Sequence, residues 1–341
     1  MPAEAVSAAI KKLAHGESLG ADEASAAFGD VMRGDATATQ VAALLTALRV
    51  KGETTDEVTG AARALREAMV RLPATDASNL VDTCGTGGGT VTTFNISTAA
   101  AFVAAGAGAR IAKHGNRSFT SRSGSADVLE ALGVRIEVPP EVMLSALDQA
   151  GIVFMFAPLM HPAMRHVGPV RRELGIPTVM NIVGPLANPA GAGRQVVGVA
   201  DYARVSLIAG ALLALGSVHS VVVHGEPGLD EVSPLGPTRV TEIVKGRRKN
   251  WTIDPTAFGF GGVTAADLAG GEPADSARVI VDVLGGGGTR GARAAVILNA
   301  AAALYVGGQA KDFAHGVSLA GRSIDDGAAM AALERLRAVT K

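Results

Sequence analysis

Between residues 80 and about 244, short runs rich in β-branched residues alternate with stretches whose apolar side chains recur at helical spacing. The runs cover 80–83, 109–112, 134–138, 153–156, 195–200 and 220–223, and the helical stretch 203–215 lies between the last two. Strands separated by a helix cross over and pair in parallel, so the pattern predicts an α/β region with a mostly parallel central sheet flanked by helices, ending near Val244. Residues 1 to about 72 carry no such run. They read as helices broken around Gly20, Gly34 and Gly52, the last opening with the capping-box pattern Thr54-x-x-Glu57 and placing Val58, Ala62, Leu65 and Met69 on one face. From Ser276 onward four helices are expected, punctuated by the glycines at 285–288, by Gly307-Gly308 and by Gly321. The fold class is therefore α/β: a small all-helical domain, 1–72, completed by helices around 161–190, and a larger α/β domain, 73–341.

Charge and composition narrow the function. The 341 residues carry 31 Lys+Arg against 32 Asp+Glu, a formal net charge of −1, which gives no electrostatic reason to expect a nucleic-acid or membrane partner. Hydrophobic residues make up 48%, enough for a core without staples, and the lone cysteine, Cys84, excludes an intramolecular disulfide or multi-cysteine zinc site. The N-terminus lacks an apolar signal core, so a soluble cytoplasmic protein is expected.

Four segments carry chemistry. Val81-Asp82-Thr83-Cys84 runs into Gly85-Thr86-Gly87-Gly88-Gly89 and then Thr93-Phe94-Asn95-Ile96-Ser97-Thr98 at a helix start. A glycine loop between strand and helix presents backbone N–H groups and the positive end of the helix to an anion, phosphate above all. Thr90 stands where a dinucleotide fingerprint needs its third glycine, and no Walker A sequence occurs. Second, Lys113-His114-Gly115-Asn116-Arg117-Ser118 leads through Thr120, Ser121 and Ser123-Gly124-Ser125 into another helix, a second anion site facing the same cleft. On residue type alone, His114 and Cys84 read as structural. Third, His161-Pro162-Ala163-Met164 precedes Arg171 and Arg172. His161 and His166 stand five apart, which discounts zinc, whereas Arg171 suits a bidentate grip on a carboxylate. Fourth, Asp230-Glu231 follows the strand 221–224, a pair of hard oxygen ligands suited to magnesium.

Taken together, GTGGG, NISTA, KHGNR, SGSADVLEALG, HPAM and GPLANP, in this order and spacing, closely resemble the anthranilate phosphoribosyltransferases of tryptophan biosynthesis, over nearly the whole chain. The resemblance implies a helical domain that dimerises, an α/β domain, and an active site in the cleft between them. It places phosphoribosyl pyrophosphate on Gly85, Gly88, Gly89, Thr93, Asn95, Ile96, Ser97, Thr98, Lys113, His114, Gly115, Asn116, Arg117, Ser118, Phe119, Thr120 and Ser121, with Ser125 nearby. Anthranilate falls to Gly85, Asn116 and Arg171, and Mg²⁺, two ions held largely through the diphosphate, to Ser97, Asp230 and Glu231. Two residues depart from the family pattern: Gly89 where many relatives have Asp, which removes a charge from the diphosphate region, and Pro177 before Thr178 where relatives commonly have Arg. Three other readings stay open: a phosphoribosyltransferase for another aromatic carboxylate, a pyrimidine nucleoside phosphorylase, and a non-catalytic nucleic-acid-binding paralogue.

Overall fold

The structure, a computed structural model, describes residues 3–118 and 122–341. Four helices come first: α1 (Glu4–Ala14), α2 (Ala21–Arg33), α3 (Ala38–Lys51) and α4 (Thr55–Ala68). Their boundaries follow local chemistry. Gly34 ends α2 in the left-handed conformation, and Thr37 and Thr54 cap α3 and α4 with reciprocal Gln40 and Glu57 contacts. Glu57 is fully buried yet satisfied, accepting from the Thr54 and Leu19 N–H groups and from Lys51. α4 crosses α2 so closely that a Cβ on Gly60 would lie 2.3 Å from the Ala21 carbonyl oxygen. Val58, Ala62 and Leu65 are buried as expected, but α4 stops at Ala68, and Met69 has already turned to extended backbone. Truncating Leu44 or Leu48, both fully buried, to alanine removes about 2–5 kcal/mol.

The α/β region then unfolds in order: β1 (Val81–Gly85), α5 (Ile96–Gly106), β2 (Ile111–Gly115), α6 (Ser125–Ala131), α7 (Pro140–Gln149) and β3 (Ile152–Phe156). The short α8 (Ala157–Met160), α9 (Gly168–Leu174) and α10 (Met180–Val183) return the chain to the helical layer. β4 (Arg194–Gly198), α11 (Val205–Ala214), β5 (His219–Gly225), β6 (Thr238–Val244) and β7 (Arg247–Ile253) complete the sheet. Its seven strands run β3-β2-β1-β4-β5-β6-β7, parallel from β3 to β5 and antiparallel thereafter. Alternate residues along β4 and β5 serve opposite faces. Val197 and Val222 pack with the N-terminal helices, residues 163–187 and α11, whereas Val196, Val221 and Val223 pack with α5 and the C-terminal helices. Those are α12 (Pro273–Leu284), α13 (Arg290–Gly307), α14 (Phe313–Asp325) and α15 (Ala328–Val339). α13 is buried along nearly its whole length, and its alanine-rich surface lets α5 and α14 pack close beside it.

Three expectations change. Residues 134–138 form no strand: Val134, Ile136 and Val138 are buried in alternation as a strand's would be, but the Arg135 N–H donates to Thr340 in place of a neighbouring strand. The sheet does not stop at Val244, because the charged Arg247-Arg248-Lys249 stretch pairs as the edge strand β7, where such charges discourage further pairing. α14 runs through Gly321, around which a Cβ would meet open space, and the break falls at Gly327, in the left-handed region.

Candidate active site

All five parallel strands end at one edge of the sheet, and the chain order turns back between β1 and β4, since β2 and β3 extend one way and β5 the other. Crevices at such reversals, outside the carboxyl ends of the strands, are where open α/β sheets bind ligands. The glycine loop leaves β1 at that reversal. Gly87 and Gly88 adopt positive φ of 70° and 80°. The Gly87 N–H donates to Asp230 Oδ2 (2.8 Å), the Thr90 N–H to the Gly228 carbonyl (3.3 Å) and Thr90 Oγ1 to the Pro227 carbonyl (2.8 Å). Thr90 thus fastens the glycine loop to the acidic loop that follows β5, with a hydroxyl bond that glycine could not make.

α5 begins beside this loop. Asn95 is left-handed (φ 36°), which turns its side chain to donate to the Ser123 carbonyl at 3.0 Å. The Ser97 N–H donates to Glu231 Oε1 (3.0 Å). Asn95 Oδ1 and Thr98 Oγ1 are buried without a partner among the described residues, polar capacity at the helix start that these residues leave unused. Lys113, the middle residue of β2, is buried and donates to the Thr83 carbonyl, to Thr83 Oγ1 (3.3 Å) and to Ser97 Oγ (3.2 Å). Burial pulls this ammonium down, and nearby Asp82 and Glu231 oppose the pull.

Asp230 and Glu231 are the least comfortable charges here. Burial raises Asp230, against the hydrogen bond from Gly87, and burial together with the neighbouring Asp230 charge raises Glu231. Two adjacent carboxylates in this state favour a cation between or beside them. Among the described residues no group of three or more His, Cys, Asp or Glu converges as a self-sufficient metal cage. A pair of carboxylates with Ser97 nearby fits magnesium, which keeps water or substrate phosphate for most of its ligands.

The Lys113–Ser118 segment is held from behind. Asp82, fully buried, accepts from the His114 N–H (3.1 Å) and from Asn188 Nδ2 (2.8 Å), and Asn188 also donates to the Ala112 carbonyl. Gly115 leaves room for Ser125, whose Oγ would lie 2.2 Å from an added Cβ. Asn116 is exposed, its carbonyl accepting from Ser125 Oγ. Arg117 faces α6 instead of the cleft, paired with Asp127 and Glu130 and stacked 5.4 Å over the Phe156 ring, while Asp127 also holds the Ser118 and Gly124 N–H groups. Phe119, Thr120 and Ser121 lie outside the described residues.

Sequence reasoning set His161 aside, yet its ring packs against His114, centroids 4.9 Å apart and planes tilted by 56°, and joins the helical connector to the end of β2. Among the described residues, neither His161 nitrogen nor His114 Nε2 has a hydrogen-bond partner of normal geometry. Burial takes His114 to about 3 and His161 to about 4, so both are neutral near pH 7. The HPAM motif was the available signal. Arg171 lies on α9, half-buried, its Nη2 3.4 Å from Asn181 Oδ1, with burial lowering its pKa. Gly88, Gly89 and Thr93 sit on the loop as expected, Gly85 is the last residue of β1, and Ile96 is a core residue of α5.

Models of known families match the chain in two parts: a glycosyl transferase family helical-bundle domain over 7–69 and a glycosyl transferase family α/β domain over 77–330. The anthranilate phosphoribosyltransferase of Rubrobacter xylanophilus is 50% identical over 333 residues, covering 98% of this chain and 97% of its own. The crystal structure of the Thermus thermophilus enzyme superposes with a TM-score of 0.91 at 42% identity, covering 97% of this chain and 99% of its own. The Saccharomyces cerevisiae enzyme in complex with phosphoribosyl pyrophosphate and Mg gives 0.88 at 30% identity, covering 98% and 97%. With this likeness running through both domains, the chain belongs to the anthranilate phosphoribosyltransferase family.

Proposed function

We infer that the chain transfers the 5-phosphoribosyl group of phosphoribosyl pyrophosphate to the amine of anthranilate, giving N-(5-phosphoribosyl)anthranilate and pyrophosphate in tryptophan biosynthesis. The observation that supports it most is the joining of the glycine loop to the acidic loop, Gly87 to Asp230 and Ser97 to Glu231, at the sheet's chain reversal. That arrangement holds the remaining N–H groups of the glycine loop, suited to a diphosphate, beside carboxylates for the cation that accompanies it.

An aromatic amine is neutral at pH 7 and already nucleophilic, so the site needs no strong base. The His–carboxylate pair His219–Glu242 lies elsewhere, starting at the opposite end of β5. Catalysis then rests on position and on charge. The glycine-loop and α5 N–H groups, with Asn95, Ser97 and Thr98, hold the diphosphate, and Lys113 adds a buried positive charge behind them. Asp230, Glu231 and Ser97 would hold magnesium, which when bound would supply neutralisation of charge on the departing diphosphate. Arg171 grips the anthranilate carboxylate near Gly85 and Asn116. The neutral His114 and His161 rings pack against each other without adding charge.

The finer assignments belong to the same proposal: two magnesium ions, a cytoplasmic homodimer formed through the helical domain, no nucleic-acid or membrane partner, and a division into 1–72, completed by 161–190, and 73–341. Val50, 82% exposed on α3, is an apolar side chain available for such a dimer, and no helix among the described residues is long and apolar enough to cross a membrane. Anthranilate fluorescence tests the reaction. Purified protein should consume anthranilate only when phosphoribosyl pyrophosphate and Mg²⁺ are both present. Persistence of anthranilate in the complete mixture, alongside turnover of another aromatic carboxylate or of a nucleoside with phosphate, would replace the acceptor.

A further inference from the structure

Three neighbouring strands, β1, β4 and β5, end in glycine at the site edge: Gly85, Gly198 and Gly225. Gly85 and Gly198 are direct partners in the β1–β4 ladder. None of the three has a positive φ, so backbone freedom does not explain them. Space does. A Cβ on Gly198 would lie 1.7 Å from the Asp230 carbonyl oxygen, 2.4 Å from its carbonyl carbon and 3.1 Å from its Cα. One on Gly85 would lie 2.5 Å from Asp230 Oδ2, and one on Gly225 2.5 Å from the Glu231 carbonyl oxygen and 2.6 Å from Ser233 Cβ. The acidic loop therefore lies in a slot across the strand ends, one that exists because three successive strands lack side chains there.

Gly198 is the tightest point, and its obstacle is main chain, which no rotamer change can move aside. Its carbonyl also accepts from the Thr86 N–H (2.9 Å), so one residue sets the height of both loops. We propose that Gly198 is a positioning residue for the divalent cation: by leaving its side-chain place empty it seats the Asp230 backbone, and so fixes where the Asp230 and Glu231 carboxylates point. Gly225 seats Glu231 in the same way from the adjoining strand. This rests on the reading that Asp230 and Glu231 hold the cation.

Calorimetric titration of Mn²⁺ into protein with inorganic pyrophosphate tests it without turnover. Gly198→Ala should weaken Mn²⁺ binding by about tenfold or more, the scale seen when groups that orient metal ligands are lost. Gly225→Ala should do the same less severely, and its anthranilate KM at saturating Mg²⁺ should stay within about twofold, since its overlaps touch only the acidic loop. Gly60→Ala, crowded against main chain too but between α2 and α4, should lower Tm and leave Mn²⁺ binding as in the wild type. Wild-type Mn²⁺ affinity in folded Gly198→Ala overturns the positioning role, and so does failure of both slot variants to fold, which would make the glycines requirements of the fold alone. If Asp230→Asn with Glu231→Gln also binds Mn²⁺ normally, the underlying metal reading is what has failed.

Discussion

Two sets of acidic side chains, one on β6 and one on the loop after β5, have opposite surroundings. Glu242, on β6, is 1% exposed and accepts from His219 Nε2 (2.9 Å), Trp251 Nε1 (2.8 Å), Tyr305 OH (2.9 Å) and Lys249 Nζ (3.1 Å). Burial would raise it, but these donors prevail and hold it below the usual carboxylate range. Asp230 and Glu231, on the loop after β5, are pushed the other way by burial and, for Glu231, by the neighbouring charge. The protein has supplied one carboxylate with a full set of donors and left the other two short. A satisfied buried charge holds structure together, whereas an under-satisfied pair awaits a partner from outside.

The contrast can be broken at either end. The largest effect is expected at the acidic loop: Asp230→Asn with Glu231→Gln should cut kcat/KM at limiting Mg²⁺ by about 10²-fold or more, and near-normal turnover across a Mg²⁺ titration would remove the pair from the mechanism. Glu242→Ala should instead cost about 3 kcal/mol of stability by stranding four donors, seen as a lower urea midpoint with kcat unchanged. Arg171→Ala should weaken anthranilate binding roughly 10- to 150-fold, or roughly 1.5–3 kcal/mol, with little change in Tm. An unaltered anthranilate KM would refute that grip.

The smallest effect concerns the His114–His161 pair. Both have folded-state pKa values below the ordinary imidazole value, so between about pH 6.5 and 4 the unfolded chain takes up protons that the native chain refuses. Stability from these rings is complete above about pH 6.5 and declines as pH falls through that window. Glu242, also lowered, adds its own loss as pH falls below the unfolded carboxylate value. His161→Asn should flatten the decline between pH 6.5 and 4 in urea titrations, and an unchanged slope would place the acid sensitivity elsewhere.

Much of this was legible in the sequence because local chemistry and tertiary outcome agree. Thr54 and Glu57 cap α4 as their spacing demands, and the β-branched runs at 80–83, 153–156 and 220–223 became β1, β3 and β5. Residues 134–138 misled because alternation reports which side chains are buried and says nothing about whether a strand lies alongside. β7 was hidden by the same logic reversed, since an edge strand has no need of an apolar pattern. At the site, motifs placed Gly85–Gly89, Asn95–Thr98 and Asp230-Glu231 on the correct turns, but not their mutual bonds. Arg117, which looked like an anion ligand, is spent on Asp127 and Glu130, and Gly198 looked like any strand glycine until the loop of a distant strand was laid against it.

The central claim is that discomfort at Asp230–Glu231 serves the cation and not the fold. Urea unfolding of Asp230→Asn with Glu231→Gln, run beside Glu242→Gln in metal-free buffer, addresses it directly. The account predicts that neutralising the pair leaves stability equal to the wild type or higher, while Glu242→Gln lowers it. A loss of stability in the loop variant matching that of Glu242→Gln would contradict the account, for it would make the pair structural.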